Sequence, residues 1–109
     1  MSELLSEDEV IATVTRLTRS RLVRFVEGEF VKPERAAHGY VFRRVDIARL
    51  ELLCDLSLDL EFDETALGTV LSLLDQLHAA RQDLAAMAHA IDTLPESLRT
   101  EILTALKKA

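Results

Sequence analysis

The alternation of apolar and polar positions divides the chain into five helical segments and one short extended stretch. Ser6-Glu7-Asp8-Glu9 carries a serine and a glutamate three residues apart, the form of a capping box. Val10, Ile11, Val14 and Leu17 follow at helical spacing. The β-branched content of Val10, Ile11, Thr13, Val14 and Thr15 keeps a short strand in competition there. Thr18 can cap a second helix with Leu22, Phe25 and Val26 on one side, and Gly28 with the Lys32-Pro33 pair ends it. Residues 30–44 read as two short extended pieces around Ala36-Ala37-His38-Gly39, a small wing-like hairpin. Within it Tyr40 and Phe42 alternate as on a strand with one buried face.

A third helix over residues 46–56 places Ile47, Leu50, Leu53 and Cys54 on one stripe, and Leu58-Asp59-Leu60-Glu61-Phe62 links it onward. Asp63 is an N-cap for a long helix from Glu64 to about Asp92. There Leu67, Val70, Leu74, Leu77, Arg81, Leu84, Ala88 and Ile91 recur by three and four, a coiled-coil seam broken only by Arg81. Such a helix is roughly 40 Å long, too long for the small domain before it to cover, which predicts a homodimer. Arg81 would then help to fix register or partner. Pro95 starts a short amphipathic helix with Leu98, Ile102, Leu103 and Leu106, closed by Lys107 and Lys108. The expected divisions are residues 1–62, 63–93 and 94–109.

Composition narrows this picture. The chain has 109 residues, the size of one small domain, and only 3 Gly and 2 Pro, which excludes a hairpin-rich sandwich. No apolar run is long enough to span a bilayer. The acidic N-terminal segment is unlike a secretory signal, and one cysteine allows no internal disulfide, so a cytoplasmic location is expected. Net charge is −6, unevenly spread: residues 10–50 sum to +5 and residues 51–109 to −7. Two surfaces of opposite sign follow, one able to meet phosphates and one able to attract a basic protein.

No residue set carries catalysis. His78 and His89 lie eleven residues apart, about 16 Å along a helix, too far to share a metal. His38 belongs to the wing turn. Cys54 sits on an apolar stripe, as a small buried hydrophobe. Tyr40, Phe42 and Phe62 are expected in the core. Asp55, Asp59, Glu61, Asp63 and Glu64 cluster at the joint before the long helix, without the ligand spacing of a calcium loop. They read as a cap plus a solvated face, or as a contact for a basic partner. Arg16, Arg19, Arg21, Arg24, Arg43 and Arg44 read either as a solvated face balancing Glu27, Glu29 and Glu34 or as a nucleic-acid surface. No cofactor, metal or membrane is implied.

The element order, with Phe30-Val31-Lys32-Pro33-Glu34-Arg35, Gly39-Tyr40 and Asp46-Ile47-Ala48-Arg49-Leu50, resembles the MerR-type winged helix with its coiled coil. The resemblance covers roughly residues 10–92. It implies a mainly α fold: a MerR-like winged helix-turn-helix with a small β wing, then a long coiled-coil helix and a short C-terminal helix. The departures matter too. The family's Leu-Arg-Tyr-Tyr-Glu is Leu22-Val23-Arg24-Phe25-Val26 here, and its Gly-Tyr-Arg is Gly39-Tyr40-Val41. The resemblance thus implies that two phosphate-contacting arginines are replaced by valine, which argues against nucleic acid because neutralised phosphates carry much of DNA affinity. The usual turn glycine falls on Glu29, with Gly28 one place early.

These departures are similar to those of the chaperone modulators called CbpM, which share the turn at residues 26–33 and the aromatic-Val-Phe wing Tyr40-Val41-Phe42. That likeness implies a non-enzymatic protein that binds the J-domain of a DnaJ-like co-chaperone of the CbpA type. It further implies inhibition of that protein's co-chaperone and DNA-binding activities. J-domains present a basic helix, so Asp55, Asp59, Glu61, Asp63 and Glu64 are the expected contacts. The alternative is a small MerR-like transcriptional regulator touching DNA through Arg19, Arg21, Arg24, Arg43 and Arg44.

Overall fold

The computed structural model describes residues 3–109, so the first two residues of the acidic N-terminal segment lie outside it. Leu5–Ser6 forms a short strand, β1, and Ser6 then caps α1, Glu7–Thr13. The capping box is complete: the Ser6 Oγ accepts the Glu9 amide at 3.2 Å, and Glu9 accepts the Ser6 amide at 3.0 Å. Helix wins over strand across Val10–Thr13, but β-branched Val14 is already extended, so the expected continuation to Leu17 is a turn.

Thr18 caps α2, Arg19–Glu27, by accepting the Arg21 amide. The helix ends in a Schellman motif, in which Phe30 donates its amide to the Phe25 carbonyl and Glu29 donates to Val26. The left-handed residue of that motif is Glu29, at φ 61°, a position that favours glycine. Gly28 is needed for a different reason. A Cβ there would fall 2.7 Å from the Phe30 ring, so the missing side chain lets the phenylalanine fold back on α2.

The wing is β2, Glu34–Ala36, paired antiparallel with β3, Gly39–Phe42, with Arg35 opposite Tyr40. Gly39, at φ 126°, makes the turn possible. The N-terminal β1 adds a third strand on the other edge of β3, with Leu5 opposite Phe42. That strand was not expected from the sequence, because two residues carry no periodicity. Phe42 is fully buried, whereas Tyr40 and Phe62 are half-exposed rather than core.

Helix α3, Arg44–Cys54, begins two residues before the expected start at residue 46. Asp46, a buried carboxylate, accepts the Arg43 amide at 2.8 Å and lies 3.7 Å from the Arg43 guanidinium. The expected linker does not start at Leu58. The chain instead continues as a π-helical turn, Asp55–Asp59, closed by the Leu60 amide on the Asp55 carbonyl. Asp63 then caps the 29-residue α4, Glu64–Asp92, through the Ala66 amide at 2.8 Å. Helix α5 is Glu96–Lys107.

The chain divides into two compact units, Met1–Leu71 and Ser72–Ala109. The division falls inside α4 because Leu67 and Leu71 are spent on the core of the first unit, with Leu17, Leu22, Leu50 and Leu53. Each such leucine contributes about 1.5–3 kcal/mol by leaving water. Phe30 joins this core, and a Cβ on Gly68 would lie 3.7 Å from its ring.

Candidate interaction surface

The arginines of the first unit are mostly tied by hydrogen bonds and ion pairs within the chain. Arg16 grips the π-helical turn. Its guanidinium donates to both oxygens of Asp59, at 2.7 and 2.9 Å, and to Asp55 at 2.8 Å. These bonds hold the Asp59 carboxyl below its ordinary value and raise Arg16. Arg19 pairs with Asp8, and Glu7 lies 3.9 Å away. Arg21 donates to the Arg16 carbonyl, Arg43 lies beside Asp46, and Arg44 meets Glu3 at 3.0 Å. Exposed pairs of this kind add little stability, about 0–1 kcal/mol each, but they lower the positive field of the surface. Arg24 forms no ion pair among the described residues.

One residue earlier, on the exposed side of α2, Val23 remains 45% accessible. The Asp-x-x-Arg-Leu stretch turns out to be architectural. Asp46 caps α3, Arg49 donates to the Phe30 carbonyl, and Leu50 is fully buried. Arg35 lies over the Tyr40 ring, 5.5 Å from its centroid, and donates to its hydroxyl.

The acidic cluster at the joint is not one uniform face. Asp55 and Asp59 come together on Arg16. Glu61 forms no ion pair among the described residues and is left-handed, φ 54°. Asp63 is committed to its cap by one oxygen, and Glu64 lies in the first turn of α4, where the helix dipole favours a negative charge. Beside them a cleft of about 210 Å³ opens over Phe25, Phe30 and Phe62, with Arg24 contributed by α2 and Asp63 and Glu64 by the start of α4. Nothing in the sequence pattern announced it.

Cys54 is buried, and burial pushes its thiol up, away from the reactive thiolate. His78 and His89 are both exposed on α4. Among the described residues no three His, Cys, Asp or Glu side chains are grouped to hold a metal, and no helix is long and apolar enough to cross a membrane.

The expected seam along α4 is not uniformly exposed. Leu67 is buried in its own unit and is not available to a second chain, and Val70 and Leu74 are half-buried. The exposed apolar side chains are Leu73, Leu77, Leu84 and Met87, which with Ala80 and half-buried Ile91 keep an unbroken spacing of four and three. Arg81 and Ala88 lie one position to the side of that series. Leu77, Leu84 and Ile91 belong to both series, and Arg81 and Ala88 of the expected seam are exposed, as Ala80 and Met87 are.

A helix-turn-helix followed by a β wing and a long helix defines the winged-helix class of regulators. Within that class the chain belongs to the MerR HTH family of regulatory proteins, whose family model matches residues 7–89. No curated protein and no solved structure matches the chain.

Proposed function

We propose that this MerR-family chain is a non-catalytic chaperone modulator that binds the J-domain of a DnaJ-like co-chaperone of the CbpA type and inhibits its co-chaperone and DNA-binding activities. The observation that carries the reading is α2. Where the family has a DNA-facing arginine, this helix exposes Val23, and most of the neighbouring arginines are held by carboxylates or carbonyls of the same chain. A surface neutralised in this way offers few free cations to phosphates, and counterion release is the main source of DNA affinity. An exposed apolar residue on the same helix suits a protein partner. The protein acts as a homodimer through the exposed leucines of α4, and the acidic half of the chain draws in the basic helix of the J-domain by electrostatic complementarity.

Calorimetric titration against the co-chaperone at physiological salt tests the reading. Binding with a defined stoichiometry is the expected result. Absence of binding by the folded protein, together with tight, steeply salt-dependent binding to one operator, would replace it with the DNA-regulator reading, for which the unpaired Arg24 speaks.

A further inference from the structure

The cleft of the first unit brings together features that the proposed function has not yet used. Its floor is aromatic, from Phe25, Phe30 and Phe62, and opposite charges line it: Arg21 and Arg24 from α2, and Asp63 and Glu64 at the start of α4. Among the described residues none of these four charged side chains forms an ion pair, although all border the same cleft. A ligand that carries both signs is complementary to both walls of such a cleft. The volume of about 210 Å³ falls below the roughly 300–1,000 Å³ of small-molecule sites and suits one large side chain of a protein partner.

We infer that this cleft is the anchor point for a basic amphipathic helix of the partner. One large apolar side chain of that helix seats on the phenylalanines, a lysine or arginine a turn away meets Asp63 and Glu64, and Arg24 takes a carbonyl or carboxylate. Partly enclosed aromatic pockets that receive a single side chain and are rimmed by charges are typical of the few positions that dominate interface energy. The inference rests on the J-domain reading and deepens it. It moves the contact from the whole acidic joint to its Asp63–Glu64 end, since Asp55 and Asp59 are already occupied by Arg16.

The test is calorimetry of the full chain against the intact co-chaperone, with Glu64→Lys reversing one charge and Ser57→Phe filling the cleft that Ser57 lines. Each variant is expected to weaken binding by about tenfold or more, the scale of a hot-spot residue, in a protein that still melts cooperatively; the lysine at the start of α4 lowers the melting temperature slightly through the helix dipole. Asp59→Asn, outside the cleft, is expected to leave the affinity within about twofold, as a surface position away from the anchor should. If the wild type binds and Glu64→Lys binds equally well, the anchor is elsewhere and the modulator reading survives. Should Ser57→Phe fail to fold, exposed Glu64 still decides the question. If the wild type itself does not bind, the modulator reading falls and this inference falls with it.

Discussion

The two units use most of their leucines in opposite ways, although Leu4 and Leu60 of the first unit are exposed. In Met1–Leu71, Leu17, Leu22, Leu50, Leu53, Leu67 and Leu71 are all buried, around Phe42 and Val10. In Ser72–Ala109, Leu73, Leu77, Leu84, Leu98, Leu103 and Leu106 are all exposed, with Leu84 at 64%. The first unit has a core of its own. The second is built of helices whose apolar faces one chain leaves in water, the condition that association relieves.

The sharpest way to break this contrast is to truncate one leucine in each unit. Leu50→Ala is expected to cost about 2–5 kcal/mol and to unfold much of the protein, since a fully buried leucine leaves a cavity. Leu84→Ala is expected to change the stability of a single chain by less than about 0.5 kcal/mol. Denaturant melts at low protein concentration measure both, and equal losses would erase the distinction.

Charge introduced on the second unit probes association directly. Leu77→Glu with Leu84→Glu is expected to convert a dimer to a monomer by sedimentation equilibrium, with the fold of the first unit intact. A wild-type protein that is monomeric at high micromolar concentration would leave these leucines without the role proposed for them.

Smaller effects sharpen the account of the first unit. Gly28→Ala drives a methyl into the Phe30 ring and is expected to destabilise by about 1–3 kcal/mol, the usual range for overpacking. Glu29→Gly relieves a left-handed residue and is expected to stabilise by up to about 1 kcal/mol. Chemical denaturation should therefore move in opposite directions for these adjacent positions.

The smallest effect is the acid response of the Arg16 clasp. The Asp59 carboxyl is held below its ordinary value of 3.8, so it contributes stability that is present above that pH and lost as pH falls through the lower, folded value. Asp59→Asn is expected to flatten the acid limb of the melting temperature below about pH 4. An unchanged limb would assign acid sensitivity to other carboxylates.

Much of the architecture was legible because local rules and tertiary packing agree. The Ser6 box, the Thr18 and Asp63 caps, the wing and both ends of α4 depend on residues a few positions apart, and the side chains that cap them are the ones the pattern singled out. The candidate site was much less legible. The five joint carboxylates look alike in sequence. Arg16 reaches Asp55 and Asp59 across about forty positions, and only that ion pair separates them from Glu61, Asp63 and Glu64. The cleft over Phe25, Phe30 and Phe62 is likewise assembled from α2, the turn after it and the joint.

By itself, then, the sequence determined the helical character, the caps, the wing and the family pattern, because hydrophobic period and side chain-to-backbone bonds act over a turn or two of chain. Only the tertiary structure decided that the first leucines of α4 are buried, which charges are already paired, and that the turn after α2 places Glu29 in the left-handed position while Gly28 makes room for Phe30. The physical reason is the same in each case. Burial and ion pairing depend on what a distant part of the chain brings into contact, and no local periodicity encodes that.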